Sequence, residues 1–436
     1  MSTASFSIAC AGPWYDFPVP KSGSKIVDFV KIFHSSISST ESYELIGRLH
    51  LARKYMVSQL VSTDASNAEK LHSVNDYIVY LVPFFNSMKN QGSVRLDAEM
   101  MFEWTGAFSA KRTSTSFPDI IFEVAMVLHT KSVLHHRLGR QMLYSDPTNN
   151  VAVAGQNFHE AAGIMDYLAT ILLPQWTNTA KRNMECNIQF CKGMGDIFTS
   201  EAQQMAVMKE TQKVSGSVSS LMARLCVSVL RTTDEGMDHF DKVPREEYSF
   251  PMEYPLFTRT FFAALAYYYT GELSRLKGDE AGVALGYYRE SLLRINDLAT
   301  GSKEHNDKYQ KLCLYFPYVR EGVQHFISTV NSNKVIVERD NNMVFFQEVP
   351  SYRDLPSLPT GILVMPRKLY SPPINENIIV FTYDEKRISI PLGTLWTPPI
   401  SDNPIHERVI NDKSVVDTDL EFAIALQKKI NAEEKG

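Results

Sequence analysis

Three histidines that lie close together in the sequence are the first candidates for metal binding or acid–base chemistry. They are His129, His135 and His136. Adjacent residues of a helix point about 100° apart, so His135 and His136 are poorly placed to hold one ion together. The dipeptide His-Glu at 159–160 begins like a zinc-protease motif, but Gly163 occupies the position of its second histidine. We therefore expect these histidines to lie in the core or on the surface, and we predict no metal site.

Motifs for phosphate binding and for nucleophilic catalysis are also missing from the sequence. It contains neither the P-loop pattern GxxxxGK(S/T) nor the nucleophile elbow GxSxG. An active site assembled from residues far apart in the chain leaves no such pattern, so a helical enzyme with a non-local site remains an alternative. The sequence predicts no cofactor and favours a protein that acts by binding rather than by catalysis.

The net charge and the cysteine pattern narrow the class of protein further. A net charge of −5 provides no basic excess for neutralising nucleic-acid phosphates. The cysteines are odd in number and lack the CxxC spacing of zinc sites, which favours free thiols in a reducing compartment. Neither a signal peptide nor a run of about eighteen apolar residues is present, so we expect a cytoplasmic protein. The five cysteines are Cys10, Cys186, Cys191, Cys226 and Cys313.

Apolar residues at alternating spacings of three and four predict helices through most of the chain. The clearest case is residues 151–172, whose apolar positions all fall on one helix face. A second such helix covers residues 188–205. Residues 256–300 form a helical hairpin around Gly278, in which small and aromatic residues alternate as in tetratricopeptide repeats. Further helical stretches are predicted over 24–37, 41–60, 68–90, 118–144 and 218–229. The fold class is therefore mainly α, a helical solenoid with tetratricopeptide-like hairpins.

Two short segments carry the alternation that is typical of strands. Apolar side chains alternate with others at residues 6–10 and again at residues 100–104. Neither segment is long enough to be stable alone. We predict that they pair in a small antiparallel sheet near the N-terminal end.

Prolines separate the C-terminal part of the chain from the helical body. Those between residues 350 and 373 forbid long helices, so we expect an extended arm over 345–370 that packs along the body. Its most apolar residues, which should avoid water, are Phe345, Phe346, Leu363 and Val364. We predict one domain over 1–375, an irregular proline-containing linker over 376–410 and an amphipathic helix or tail over 411–436.

The amphipathic segment at 417–434 has acidic residues at its start and lysines near its end, which complements a helix dipole. Its narrow apolar stripe with a small residue at the centre resembles single-helix ubiquitin-binding motifs. The alternatives are a helix that docks in cis on its own domain and a disordered tail, because such short helices are marginal when isolated. The residues of the two functional alternatives are Asp419, Phe422, Ala423, Leu426 and Ile430.

Five blocks of sequence together resemble the BRO-domain family. In NNMVFFQEVPSYRDLPSLPTGILVMP at 341–366, Asn residues, an aromatic pair and Val-Pro precede an acidic Leu-Pro stretch. The others are MMFEWTGAF at 100–108, IIFEVAMVLHTKSVLHHRLG at 120–139, NFHEAAGIMDYLATILLP at 157–174 and AALAYYYTGELSRLKGDEAGVALGYYRESLLRI at 263–295. The blocks follow the family's order over roughly residues 5–375, and the resemblance is to its single-domain members.

The resemblance implies a curved helical solenoid that acts as a non-enzymatic scaffold. Such a scaffold docks the C-terminal helices of ESCRT-III subunits, the charged multivesicular body proteins, in endosomal sorting and membrane remodelling. A groove on a helical solenoid suits an amphipathic partner helix. We expect a monomer that reaches membranes through its partners and has no lipid anchor, because the prenylated cysteine motif of the similar proteins is absent. A pH-signalling adaptor of the same family is the alternative.

The resemblance also implies a partner groove along the second of the predicted helices. Phe198 matches an aromatic residue of the family's groove, whereas Thr211 and Ser215 stand where the family has aliphatic residues. Because a lone Phe on an apolar helix face is typical of a core residue, a core position for Phe198 stays open. The expected groove residues are Phe198, Met205, Met208, Thr211, Val214 and Ser215.

Overall fold

The structure is a computed structural model, and helices dominate the part of the chain that it describes. The described residues are 15–23, 26–37, 39–89, 94, 96–177, 182–212, 220–300, 303–364, 368–373, 378–383 and 386–391. The helices are α1 (Phe29–Ile32), α2 (Thr40–Val61), α3 (Asn67–Lys89), α4 (Ile120–Ser145), α5 (Val151–Tyr167), α6 (Ile188–Thr211), α7 (Ser220–Phe240), α8 (Glu253–Lys277), α9 (Ala281–Thr300), α10 (Lys303–Tyr315) and α11 (Pro317–Asp340). The predicted mainly α fold is confirmed.

The helices from α2 to α9 form a continuous array in which each packs against the next along the chain. The predicted spacing explains this arrangement, because an apolar stripe on each helix must be covered by a neighbour. α5 continues through a π-helical turn at Leu168–Leu172, and α11 continues through another at Asn341–Phe345. Within this array, α6 lies between α5 and α7.

A three-stranded antiparallel sheet lies beside the first helices, with strand order β1-β2-β3. Its strands are β1 (Lys21–Ser22), β2 (Phe102–Thr105) and β3 (Ser114–Phe117). The predicted strand at 100–104 is therefore confirmed in part, whereas its predicted partner at 6–10 lies outside the described residues. The strands that pair with β2 are β1 and β3 instead, since Trp104 lies opposite Ser22 and Thr115.

A buried ion pair joins the sheet to the helices. Glu123 on α4 is fully buried and accepts a hydrogen bond from Arg53 on α2, at 2.8 Å. Tyr77 on α3 donates to the same carboxylate at 3.1 Å, and Trp104 on β2 donates through Nε1 at 2.6 Å. A buried charge is tolerated only when it is paired and hydrogen-bonded, so these groups hold four elements in register.

The arm, residues 347–364 and 368–373, runs across the helical array as an extended segment, as predicted. Ile362 N donates to Arg224 O of α7 at 3.4 Å, and Tyr370 N donates to Gly163 O of α5 at 3.2 Å. Val364 N donates to the side chain of Gln203 on α6 at 3.3 Å. Backbone groups therefore supply much of the attachment.

The expectation that the most apolar residues of the segment 345–370 are buried is wrong for three of the four. Phe346 is 76% exposed, and Phe345 and Leu363 are about 40% exposed, whereas Val364 is buried. Phe346 has a left-handed backbone (φ 53°), which directs the chain into the arm. Asn341 stabilises this turn by hydrogen bonds to both backbone groups of Gln347.

Residues 376–410 are not irregular where the structure describes them. β4 (Ile378–Tyr383) and β5 (Lys386–Pro391) form an antiparallel hairpin that lies against α2. The sequence explains these strands, because two runs rich in β-branched residues are separated by a connection of two residues. The prediction of an irregular linker rested on prolines elsewhere in the segment. The predicted helix at 411–436 lies outside the described residues.

Candidate partner-binding site

α6 is the helix on which the expected groove lies, and most of its residues are buried. It begins at Ile188, where the Asn187 side chain accepts a hydrogen bond from Phe190 N at 3.1 Å and caps the first turn. α5 and α7 flank it on two sides. A partner can therefore reach α6 only where something other than a neighbouring helix covers it.

Phe198, at the middle of α6, is fully buried. Its ring stacks on His136 of α4 with the centroids 5.0 Å apart. The ring of Phe17 meets it edge-on at 5.8 Å. The structure thus places Phe198 in the core, and the cover over its ring includes a residue from a segment that is neither helix nor strand.

Residues 15–17, which we call the strap, form this cover and are held mainly by their side chains. Asp16 receives two hydrogen bonds from the guanidinium of Arg137, at 2.8 and 2.5 Å. Arg140 lies 3.1 Å from the same carboxylate. Partial burial raises the pKa of Asp16, but the hydrogen bond and charge of Arg137 and the charge of Arg140 outweigh it and keep the pKa below its usual value.

A polar group lies in the core beside Phe198. His136 Nε2 lies 3.2 Å from Glu201 Oε1, and Tyr254 donates a hydrogen bond to that oxygen at 2.8 Å. Burial, with the negative charge of Glu201, raises the pKa of Tyr254. These groups explain why a histidine and a glutamate are tolerated under the strap, and they tie α4, α6 and α8 together.

Met205 and Met208 are buried in a second cluster and do not line an open groove. Both are at most 5% exposed. Thr211 is half-buried and donates its hydroxyl to Met208 O at 2.8 Å. The cluster is closed by the end of α4 and the start of α5 and comprises Leu143, Val151, Ala154, Phe158, Ala202, Met205 and Met208.

Several of the predicted functional residues cannot be placed. Val214 and Ser215 lie outside the described residues, as do the five residues of the C-terminal helix, Asp419, Phe422, Ala423, Leu426 and Ile430. Their roles in partner binding, ubiquitin binding or docking in cis remain predictions.

The arm contacts α6 from a different direction than the strap. Gln203, which receives the arm at Val364, follows Phe198 by five positions. Five helical residues correspond to about 140° around the axis, so the two extended segments meet well-separated faces of α6. We call the side of α6 that the strap covers the strap face, and it carries Phe198, the predicted groove aromatic.

The three histidines of the sequence cluster have separate surroundings in the structure. His135 lies against Asn157 at 3.1 Å, His136 lies against Glu201, and burial lowers the pKa of His129 to about 3. Within the described ranges, no group of three or more His, Cys, Asp or Glu side chains is arranged to hold a metal ion. None of the helices described here carries an apolar stretch long enough to cross a bilayer.

The comparison with protein families decides what kind of helical array this is. A model of the BRO1-like domain matches residues 18–383. The chain belongs to the BRO1-like domain family. The predicted resemblance is thereby confirmed, and the strap begins just before the matched region.

Two curated proteins are similar in sequence to this BRO1-like domain. The pH-response regulator protein RIM20 of Yarrowia lipolytica is 22% identical over 300 residues, which is 69% of this chain and 36% of that protein. Apoptosis-linked gene 2-interacting protein X 1 of Caenorhabditis elegans is 22% identical over 281 residues, or 63% of this chain and 30% of that protein. The chain therefore spans about a third of the length of these relatives.

Solved structures share the fold. The ALIX BRO1 domain in complex with CHMP4C matches with a TM-score of 0.64 and 12% identity, over 80% of this chain and 93% of that chain. A Bro1 domain solved as the basis for endosomal targeting gives 0.64 and 14%, over 82% and 93%. ALIX in complex with the SIVmac239 PYKEVTEDL late domain gives 0.66 and 16%, over 83% of this chain and 50% of that chain. At these identities the likeness shows the BRO1 fold alone.

Sequence reasoning misses the strap, although the sequence carries a signal for it. Trp14, Tyr15 and Phe17 lie between Pro13 and Pro18, in a stretch too rich in proline for a helix. Large aromatic side chains in an irregular segment must be buried against another part of the protein. The pattern indicates burial but does not say that α6 is what they cover.

Proposed function

We propose that this BRO1-like domain is a non-enzymatic adaptor that docks the C-terminal helices of ESCRT-III subunits. In this role it acts in the cytoplasm, in endosomal sorting and membrane remodelling, and reaches membranes through its partners. The observation that carries the proposal is the BRO1 fold over most of the chain, which is shared with a BRO1 domain solved with CHMP4C.

The strap face of α6 supports the position of the docking surface. It contains the predicted groove aromatic Phe198, whose ring is covered by His136 of α4 and by the non-helical residue Phe17. In other directions around α6 lie α5, α7 and the backbone-bonded arm. Helix-in-groove recognition requires an apolar surface that a partner helix can reach, and the strap face offers the nearest approach to one.

The test is a titration of labelled C-terminal tail peptides from a panel of ESCRT-III subunits against the full chain. Lys209 follows Phe198 by eleven positions on α6, which brings it back to within about 20° of the same face. Lys209→Glu should weaken tail binding several-fold if the partner helix crosses this face, because a reversed charge at the rim of an interface opposes association.

Lys54→Glu is the matched control, since Lys54 is an exposed lysine on α2, which does not pack against α6. It should bind the tails as the unchanged chain does. Equal affinities for the Lys209 and Lys54 variants would remove the docking surface from this face. Failure of every tail to bind would overturn the adaptor proposal itself.

A pH-signalling adaptor is the second candidate, and the similarity to RIM20, a pH-response regulator protein, favours it. Both candidates use the same fold and differ in the pathway that recruits them. Expression of the chain in a Yarrowia lipolytica strain that lacks RIM20 separates them. A restored response to external pH would support the signalling role. A pH response that stays defective, with the protein present and folded, would contradict it.

A further inference from the structure

The strap fills a pocket made by several separate elements. The ring of Phe17 is fully buried. Its centroid lies 4.6 Å from that of His136, 5.8 Å from Phe198, 5.9 Å from Phe108 and 5.5 Å from Phe250. These rings come from α4, from α6, from the loop after β2 and from the segment before α8, so all four walls of the pocket lie outside the strap.

A basic site adjoins this aromatic pocket. Arg137 and Arg140 lie one helical turn apart on α4, and both contact Asp16. The fork of Arg137 bonds the carboxylate through two nitrogens, which is the geometry by which arginine recognises planar anions. The pocket and the arginines therefore recognise two adjacent features of the strap, an aromatic ring and a carboxylate.

The way in which the strap is attached makes it replaceable. Its backbone belongs to neither a helix nor a strand. Tyr15 completes the attachment by packing its ring 5.8 Å from that of Phe17 and 6.4 Å from that of Phe316. A ligand that supplies an equivalent ring and carboxylate can make the same side-chain contacts, whereas a segment held by a backbone ladder would have to be unzipped.

We propose that residues 15–17 are an intramolecular ligand of a peptide-binding pocket. The partner that replaces them is a helix that carries a carboxylate and an aromatic side chain on one face, three or four residues apart. The ring enters the Phe17 position over Phe198, and the carboxylate takes the place of Asp16 on Arg137 and Arg140. This proposal rests on the adaptor function, since it names the chemistry by which a tail helix is recognised and the segment with which it competes.

If the partner helix must displace the strap from the pocket, a weaker attachment of the strap should strengthen binding of the partner. The apparent affinity of a site that is open only part of the time is reduced by the open fraction. Asp16→Lys places a positive charge beside two arginines and should open the pocket. We expect tail-peptide affinity to rise roughly tenfold or more as the open fraction increases.

Asp234→Lys is the matched control. Asp234 is paired with Arg259 at 2.7 Å, and its side chain is 40% exposed, close to the 41% of Asp16. The same change of charge is thus made at an ion pair away from the strap, and affinity should not change. Thermal unfolding of both variants checks the fold, and Asp16→Asn replaces Asp16→Lys if the latter does not fold.

A peptide with the sequence of residues 13–20, PWYDFPVP, tests the pocket without any ESCRT-III partner. It should bind the Asp16→Lys chain and compete with a tail peptide, whereas the peptide PWYAFPVP, which lacks the carboxylate, should not. If tails bind the unchanged chain and the Asp16→Lys chain equally and PWYDFPVP does not compete, the pocket proposal is overturned while the adaptor function stands. If no tail binds, the adaptor function is contradicted. The pocket proposal is then tested by the peptides alone: it is supported if the Asp16→Lys chain binds PWYDFPVP more tightly than PWYAFPVP, and it is overturned if it does not.

Discussion

The strap and the arm both cover α6, but the strap is held by side chains and the arm largely by its backbone. Phe17 of the strap is fully buried among aromatic rings, and Asp16 is held by arginines. The arm donates backbone N–H groups to α7 and to Gln203. At Gly282 on α9, an added Cβ would clash with Glu348 O of the arm.

This difference determines what each segment responds to. Contacts made by an aromatic ring and a carboxylate depend on a few side chains, so a competing ligand can replace them, and protonation of the carboxylate can weaken them. Backbone contacts depend on how closely the chain can approach the helices, so they respond to added volume in the helices and hardly to pH. The strap is suited to exchange with a partner, and the arm is suited to permanent attachment.

The largest effect is expected at the ring that the strap covers. Phe198→Asp would place an unpaired carboxylate in the core, and burial of an unpaired charge together with the lost ring should cost more than about 4 kcal/mol. We expect loss of cooperative unfolding by circular dichroism. Phe346→Asp is the control, because Phe346 is 76% exposed and its replacement should leave the fold intact. A folded Phe198→Asp protein would mean that the strap leaves this ring open to water.

Phe17→Ala should have the next largest effect. Truncation of a buried Phe typically costs about 3–5 kcal/mol, and the value should fall toward the lower end because a strap that belongs to no helix or strand can shift to fill the space. Urea unfolding measures the free energy, with Phe346→Ala expected to change it by about 0.5 kcal/mol or less. A loss as small as that of the control would show that the strap contributes nothing to the folded state.

Gly282→Ala tests the arm by adding volume where it approaches α9. The clash with Glu348 O should force the arm away and cost about 1–3 kcal/mol, although alanine favours the helix. Gly47→Ala on α2 is the control, because nothing lies within 4 Å of its added Cβ, and it should be neutral or slightly stabilising. Hydrogen exchange should show faster exchange at Ile362 and Tyr370 in the Gly282 variant. Unchanged exchange there would contradict a continuous attachment of the arm.

Acidification should weaken the attachment of the strap and leave that of the arm unchanged, with the smallest effect on stability. The pKa of Asp16 is lowered in the folded protein, so its contribution is complete above the ordinary carboxyl pKa and is lost as the pH falls through the lowered value. The unfolding free energies of the unchanged chain and of Asp16→Asn should differ by about 0.5 kcal/mol near neutral pH. They should converge as the pH falls through the lowered pKa of Asp16. His129 also disfavours the folded state in acid, because its folded pKa is about 3, but it affects both proteins equally. A difference that persists in acid would exclude the Asp16 carboxylate as its source.

The sequence alone predicts much of the helical array because helical periodicity is local. The alternating apolar spacing over 151–172 and 188–205 marks α5 and α6, and the hairpin around Gly278 appears as α8 and α9. The prolines after residue 350 rule out helices and predict the arm, which the backbone contacts confirm. The family resemblance also follows from the sequence blocks, and the family match over 18–383 confirms it.

Only the tertiary structure decides what covers each face. Periodicity places Phe198 on an apolar stripe of α6, but it does not distinguish a groove open to a partner from a face that this chain covers itself. Phe17, which covers it, is distant in the sequence, and no local pattern reports which helix a strap meets. The same limit applies to the sheet, where two residues, Lys21–Ser22, suffice for β1 because pairing with β2 provides their hydrogen bonds. Local sequence determines which residues can be buried together on one side of an element, and long-range packing determines what buries them.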